Sequence, residues 1–339
     1  MVNVGERRVS ALFRCVSATL VAALWLPAPL ARAMELDLPL ACTPAADCWV
    51  TRLVDHDPGP GFTDYRCGTL GSDGHEGTDF AIADPHRMAE GVPVTASAPG
   101  VVAGVRDGMP DQPPEGRLAY EFGDRNCGNG VLLRHADGWE TQYCHLRQGS
   151  VQVVRGDTVA AGQPLGLVGM SGEANFPHVH LSVRRDGKNI DPFTGGSSGE
   201  ACGAAASTLW APELRSRLAY EEVPIAVVGL SDHLPDRDAI VAGRAGADRL
   251  SGASPALVGY VLAYGLRKGD RLELVVEGPE GRQVSSAGFD LDEDAPQATR
   301  AAGRRRPSEG WPPGIYRVEA RIGRGDRSFA RSASFTVAQ

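Results

Sequence analysis

A small group of histidines and one aspartate has the types and spacing for metal-assisted chemistry. His178 and His180 stand in Pro177-His178-Val179-His180-Leu181-Ser182-Val183, where polar and apolar residues alternate. A strand sends residues i and i+2 to one face, so both imidazoles project together, with aliphatic side chains opposite. Two imidazoles on one face begin a zinc site; a polar, solvent-facing strand would show the same alternation. His75 and Asp79 lie four apart in Asp73-Gly74-His75-Glu76-Gly77-Thr78-Asp79-Phe80. That offset suits one face of a helix or of a strand. Gly74, Gly77 and the run Phe80-Ala81-Ile82 favour a turn that leads into a strand. Taken alone, the pair also fits a turn aspartate beside an unrelated histidine.

The combination says more than its parts. A catalytic zinc takes three protein ligands and keeps a position open for water. His75, Asp79 and one member of the H-x-H pair supply three. The other member and His145, in Tyr143-Cys144-His145-Leu146, are left to act on a substrate. Zinc lowers the pKa of bound water to about 7, which provides a nucleophile at neutral pH. A neutral imidazole can take up the proton and return it to a leaving amine; once protonated it can stabilise an oxyanion. His135 begins an apparent hairpin turn, and His56, His86 and His233 stand in polar turn contexts, so surface or packing roles are expected for them. Glu76 invites comparison with the base of a helical H-E-x-x-H site, but the second histidine of that motif is missing, and Glu76 reads as a loop residue.

The elements that must position these groups are strands. The chain has 339 residues, 42% hydrophobic and 22% charged, which is ordinary for a globular protein and excludes global disorder. At roughly 100–200 residues per domain, two domains are expected. With 42 glycines and 24 prolines the chain favours many short strands over long helices. Residues 1–33 read as an export signal: Arg7, Arg8 and Arg14, an apolar stretch from Cys15 to Leu30, and the cleavage pattern Ala31-Arg32-Ala33. Residues 34–66 form an N-terminal extension. From 67 to 195 short β-runs alternate with glycine: Val92-Pro93-Val94, Val101-Val102-Ala103, Val131-Leu132-Leu133, Val151-Gln152-Val153-Val154 and His178 to Val183. The stretch from Asp107 to Cys127 reads as a surface loop, and 196–220 as a linker. Residues 221–339 carry further strands, Ala256 to Leu266, Arg271 to Val276, Ile315 to Ile322 and Ser328 to Val337, and suggest an immunoglobulin-like β-sandwich.

Charge and cysteine content narrow the partners. The formal net charge is −8, which repels phosphate backbones and excludes nucleic acid as an expected partner. No segment after the signal is apolar enough to span a bilayer. Beyond residue 33 the cysteines are Cys42, Cys48, Cys67, Cys127, Cys144 and Cys202. An even set in an exported chain suggests up to three disulfides. Cys42 and Cys48 can close a small loop, Cys127 and Cys144 flank an apparent hairpin, and that leaves Cys67 for Cys202; many other pairings are possible.

These segments resemble the LytM/lysostaphin-type zinc metalloendopeptidases, which cleave peptide bonds in bacterial peptidoglycan on the duplicated hybrid motif fold. The resemblance is carried by Gly74-His75-Glu76-Gly77-Thr78-Asp79-Phe80, by Ala98-Pro99-Gly100-Val101-Val102, and by Gly128-Asn129-Gly130-Val131. It continues through Thr141-Gln142-Tyr143-Cys144-His145-Leu146, Gly162-Gln163-Pro164-Leu165-Gly166 and Val168-Gly169-Met170-Ser171-Gly172. It ends with Pro177-His178-Val179-His180 and Asn189-Ile190-Asp191-Pro192. These stand in the family's order. The resemblance implies that His75, Asp79 and His180 hold a zinc ion and that His145 and His178 are the catalytic pair. It is the family pattern that separates His178 from His180.

The implied fold is mainly β, an antiparallel β-sheet groove followed by the sandwich. The implied activity is an exported zinc endopeptidase, periplasmic or at the cell surface, with peptidoglycan peptides as substrate. The alternative is a catalytically inactive scaffold of the same fold that binds peptidoglycan or activates a cell-wall amidase. Tyr143 is expected to flank the groove or to pack within a strand. Phe176, where the family usually has small residues, is expected to reshape a groove wall, and Cys144 to rigidify the strand of His145.

Overall fold

The computed structural model describes residues 1–2, 34–82, 85–112, 122–203, 207–241 and 243–339. All but Met1 and Val2 of the expected export signal therefore lies outside the described residues, as does 113–121 of the expected surface loop. Residues 34–339 form one compact unit. Among the described residues helix is limited to single short turns, such as Pro85–Glu90 and Arg237–Val241. Among the described residues no helix is long and apolar enough to cross a membrane.

The first ten strands are β1 (Cys48–Arg52), β2 (Thr78–Ile82), β3 (Pro93–Thr95), β4 (Gly100–Arg106), β5 (Asn129–Arg134), β6 (Trp139–Leu146), β7 (Thr158–Val159), β8 (Pro164–Leu167), β9 (His178–Arg185) and β10 (Lys188–Asn189). The main sheet has the order β1-β2-β9-β6-β5-β4-β7, with β10 added to β9, while β3 and β8 form a small second sheet. Its pairings are antiparallel. β9 sits between β2 and β6, and its alternation behaves as the sequence suggests. Val179, Leu181 and Val183 are at most 1% exposed in the core, while His178, His180, Ser182 and Arg184 line the opposite, open face. Burying each of those aliphatic side chains stabilises the strand by roughly 1.5–3 kcal/mol. A one-residue slip would exchange the two faces, so the apolar row fixes the register.

The Val151–Val154 run is not a strand. Its β-branched residues suit one, but only Val153 is buried; Val154 is 64% exposed, and its N–H donates to the Asp157 carboxylate rather than to a neighbouring strand. Residues 34–66 and 207–220 are part of the same core. Leu36, Leu40 and Leu53 cluster with Trp210, Leu214, Leu218 and the sheet's apolar face. The three disulfides are Cys42–Cys48, Cys67–Cys202 and Cys127–Cys144, the pairing expected from spacing.

The remaining strands are β11 (Ile225–Ser231), β12 (Arg249–Ser251), β13 (Ala256–Leu266), β14 (Arg271–Glu277), β15 (Gln283–Asp290), β16 (Ala295–Arg305), β17 (Gly314–Arg324) and β18 (Arg327–Ala338). They make a three-stranded sheet, β11-β13-β16, and a five-stranded sheet, β12-β18-β17-β14-β15. Side chains of both sheets share one buried core that includes Leu257, Val261, Leu274, Val318 and Ile322. A separate cluster joins this region to the first sheet: Trp49, Ala81 and Phe176 pack with Ala226, Ile240, Tyr260 and Tyr264.

Candidate metal centre

Each donor of the candidate site is set by a local backbone feature. β2 and β9 pair with Asp79 opposite His180, and β6 and β9 pair with Cys144 opposite His180. This row places Asp79 and His180 side by side on the open face. His75 arrives from the loop before β2, which must cross closely over β9. A Cβ on Gly77 would lie 2.5 Å from the Leu181 carbonyl oxygen and 2.6 Å from His180 Nε2, so only glycine permits the crossing.

The three side chains converge. His180 Nδ1 lies 2.8 Å from Asp79 Oδ1 and 3.2 Å from His75 Nε2, and His75 Nε2 lies 3.1 Å from the same carboxylate oxygen. His75 Nδ1 is 2.8 Å from the Leu53 carbonyl oxygen. A carbonyl can only accept, so Nδ1–H donates and Nε2 is the free donor atom. His180 Nε2 lies 3.0 Å from Ser182 Oγ, which leaves Nδ1 to face inward. The set could hold a metal ion. Two imidazole nitrogens and a carboxylate oxygen aimed at one point suit a borderline divalent cation such as zinc. Partners on the far ring nitrogens, which orient such ligands, are in place.

Asp79 is 1% exposed. Burial pushes its carboxyl up, but the facing His75 and His178 and the close imidazole nitrogens of His180 and His75 hold it well below the usual carboxylate range. His75 is pushed down by burial and is nonetheless raised by Asp79.

His145 and His178 form a second pair beside the first, with ring centroids 4.6 Å apart. His178 Nδ1–H donates to the Phe176 carbonyl and His145 Nδ1–H to the Ser171 carbonyl, both at 2.8 Å, which leaves each Nε2 free. Burial lowers His178 to about 4 despite the pull of Asp79. Burial, with His178 and His180 nearby, takes His145 well below its ordinary value. Both rings are therefore neutral at neutral pH and able to accept a proton.

His145 reaches the cleft by an unusual route. Cys144 and His145 are consecutive on β6, yet both line the same cleft. A regular strand would send them to opposite faces. His145 has φ 64°, in the left-handed region, and this breaks the alternation. Its N–H donates to the Cys127 carbonyl at 2.8 Å, and Cys127 is disulfide-bonded to Cys144, so the strained residue is held on both sides. Gly128 follows at φ 62°, where a Cβ would lie 2.4 Å from the Ser171 carbonyl oxygen. The loop that supplies the acceptor for His145 can approach only there.

Other expectations resolve differently. Tyr143 is fully buried, and its hydroxyl accepts the Ser97 N–H at 2.6 Å; it packs within the sheet and does not flank the groove. Phe176 is 2% exposed and does not form the groove wall. Its ring lies 4.5 Å from that of His178 and 5.3 Å from that of Tyr264. His56, expected in a polar turn, is 5% exposed and pairs with Asp191 Oδ2 at 2.8 Å while donating to the Glu200 carbonyl. Its turn is covered by chain that is distant in sequence. His135 hydrogen-bonds the Pro99 carbonyl and Thr141, and His233 is exposed beside Asp232, as expected. The side chain of His86 lies outside the described residues. Glu76 lines the cleft from its loop, and of residues 34–66 Arg52 alone lines it. The carbonyls of Leu53, Ser171 and Phe176 carried no sequence signal, since any residue offers one.

With this geometry in place, comparison with known proteins is informative. Residues 73–192 match the sequence profile of Peptidase family M23. DD-carboxypeptidase/endopeptidase Mpg of Neisseria meningitidis is 32% identical over 120 residues, which cover 35% of this chain and 22% of that protein. Peptidoglycan DD-endopeptidase ShyA of Vibrio cholerae is 31% identical over 117 residues, covering 34% and 22%. Murein hydrolase activator EnvC of Escherichia coli is 30% identical over 108 residues, covering 32% and 25%. The chain thus spans about a quarter or less of these relatives. The catalytic domain of the prophage-encoded M23 protein EnpA from Enterococcus faecalis aligns at 27% identity, over 42% of this chain and 88% of that one, with a TM-score of 0.29.

Proposed function

We propose that the family M23 peptidase domain of residues 73–192 makes this chain an exported, zinc-dependent endopeptidase that hydrolyses peptide bonds in peptidoglycan stem peptides or crosslinks. The observation that carries the reading is the joint convergence of two groups on one cleft. His75 Nε2, Asp79 Oδ1 and His180 Nδ1 make a metal set, and the free Nε2 atoms of His145 and His178 stand beside it. Relatives that bear the names DD-endopeptidase and DD-carboxypeptidase/endopeptidase support the substrate class. Three disulfides support export, because such bonds persist in oxidising compartments.

In this reading His75, Asp79 and His180 hold zinc. When bound, zinc is a Lewis acid that lowers the pKa of water to about 7 and polarises a carbonyl. The chain's own groups do the rest. His178 and His145, kept neutral by burial, offer Nε2 as proton acceptor. The protonated ring then donates a hydrogen bond to the developing oxyanion or returns the proton to the departing amine. The Ser171 and Phe176 carbonyls fix the tautomers that this requires. β9 and the neighbouring face of β6 offer a floor along which an extended peptide can lie.

The test is zinc content and muropeptide digestion, measured together on the protein and on His180→Ala. One zinc per chain with crosslink cleavage, both lost in the variant, is the expected result. Zinc bound with no cleavage of any muropeptide, accompanied by stimulation of an amidase, would replace this reading with the inactive activator. Absence of both zinc and cleavage in the unaltered protein would refute the metallopeptidase reading.

A further inference from the structure

The cleft carries a cation that the metal site does not use. Arg184 lies on the same face of β9 as His180, four residues further along, and lines the cleft with Ser182 and Gln142. At 3.2–3.4 Å per strand residue, its Cα is about 13 Å from that of His180, a span of about four residues of extended peptide. Its guanidinium is oriented by neutral groups only. Nη1 donates to Gln142 Oε1 at 2.7 Å and Nε to Asn189 Oδ1 at 3.2 Å. Gln142 is itself held, its amide donating to Cys127 Sγ at 3.3 Å.

Among the described residues no carboxylate lies within ion-pair distance of Arg184. Glu140, its register partner on β6, is turned to Arg134 at 3.0 Å. Asp73, Glu76 and Glu173 also line the cleft, and none of them is paired with it. The other cleft arginine differs: Arg52 Nε is 4.0 Å from Asp79 Oδ2, so its charge is already directed at the metal set.

An arginine held by amide oxygens, with donors to spare and no anion, matches a carboxylate ligand. Guanidinium–carboxylate pairs form two parallel charge-assisted hydrogen bonds. We propose that Arg184 is a carboxylate subsite that docks an acidic peptide along β9 and so sets which bond reaches the metal centre. The proposal rests on the peptidase reading and deepens it. It names the substrate class as carboxylate-bearing stem peptides, in preference to neutral glycine bridges, which offer Arg184 nothing.

The test uses the zinc-loaded full chain with two crosslinked peptides, identical except that one has every carboxylate amidated, and a neutral oligoglycine peptide. The expected result is a preference for the free-acid peptide of roughly 10- to 100-fold in kcat/KM, the range for hydrogen bonds to a charged group. Oligoglycine is expected to be the poorest substrate. In Arg184→Gln the ratio collapses toward one through a raised KM on the free-acid peptide, with zinc content retained; Arg184→Lys restores part of it. Equal loss on both peptides in Arg184→Gln, or no discrimination by the unaltered protein, would overturn the proposal while leaving the peptidase reading intact. Cleavage of none of the three overturns the peptidase reading and the subsite together.

Discussion

Replacing Cys127 and Cys144 together by serine tests how the reactive geometry is held. The bond closes a loop between residues 17 apart. Loop-closure entropy for that length gives a loss of roughly 3 kcal/mol in folding stability. The catalytic consequence follows from His145, whose φ of 64° costs a non-glycine residue on the order of 1 kcal/mol. That conformation persists because the Cys127 carbonyl takes the His145 N–H and the Ser171 carbonyl takes its ring N–H. With the bond gone, the Cys127 side of this clamp is free to move. His145 then relaxes toward an extended backbone, which sends its imidazole to the other face of β6. Denaturant unfolding, zinc stoichiometry and peptide hydrolysis are measured on one preparation. The expected result is a stability loss near 3 kcal/mol, zinc retained by His75, Asp79 and His180, and kcat lower by roughly 10²- to 10⁴-fold, the range a lost acid–base group produces. Unchanged kcat in a variant of reduced stability would refute the positioning argument. Zinc lost in step with turnover would refute the separation of His145 from the metal set.

Phe176→Ala removes a buried ring that lies between His178 and Tyr264. It is expected to cost about 3–5 kcal/mol, whereas Phe176→Leu costs less because it refills part of the space; a loss below about 1 kcal/mol for the alanine variant would show that the ring is not packed as described. His56→Gln has a pH signature. The hydrogen bond to Asp191 raises the native pKa of His56, against the effect of burial. A raised native value means that the pair's stabilisation is complete below the unfolded value of about 6.5 and is lost as pH rises through the native value. The stability difference between protein and variant is therefore largest below about pH 6.5 and narrows above it. A difference that stays flat from acid to alkaline pH, read by denaturant unfolding, would sink the charged pairing.

What the sequence determined by itself was set by short-range physics. The alternation in His178 to Val183 decides that two imidazoles share a face, because a strand has a period of two. β13, bounded by turn residues and rich in β-branched and aromatic side chains, coincides with the expected Ala256 to Leu266. Spacing suggested one disulfide pairing but left many others open, and it is the folded chain that brings Cys42 to Cys48, Cys67 to Cys202 and Cys127 to Cys144. The family motifs separated His180 from His178, a distinction that alternation could not make. β15 and β16 were not readable: Gln-Val-Ser-Ser-Ala-Gly-Phe-Asp and an alanine- and arginine-rich run have little strand preference of their own, and it is pairing with β14 and β13 that makes them strands.

Tertiary structure alone decided four further features. It turned His145 into the cleft through a left-handed residue, and buried Tyr143 and Phe176 away from it. It paired His56 with Asp191 across 135 residues, and left Arg184 without an acidic partner among the described residues. The contacts that decide them include several from chain distant in sequence, such as Ser171 on His145, Tyr264 on Phe176, Asp191 on His56 and Gln142 on Arg184. Residue type announces what a side chain can do, but the burial, the free ring nitrogen and the missing counter-charge belong to whatever the fold brings against it.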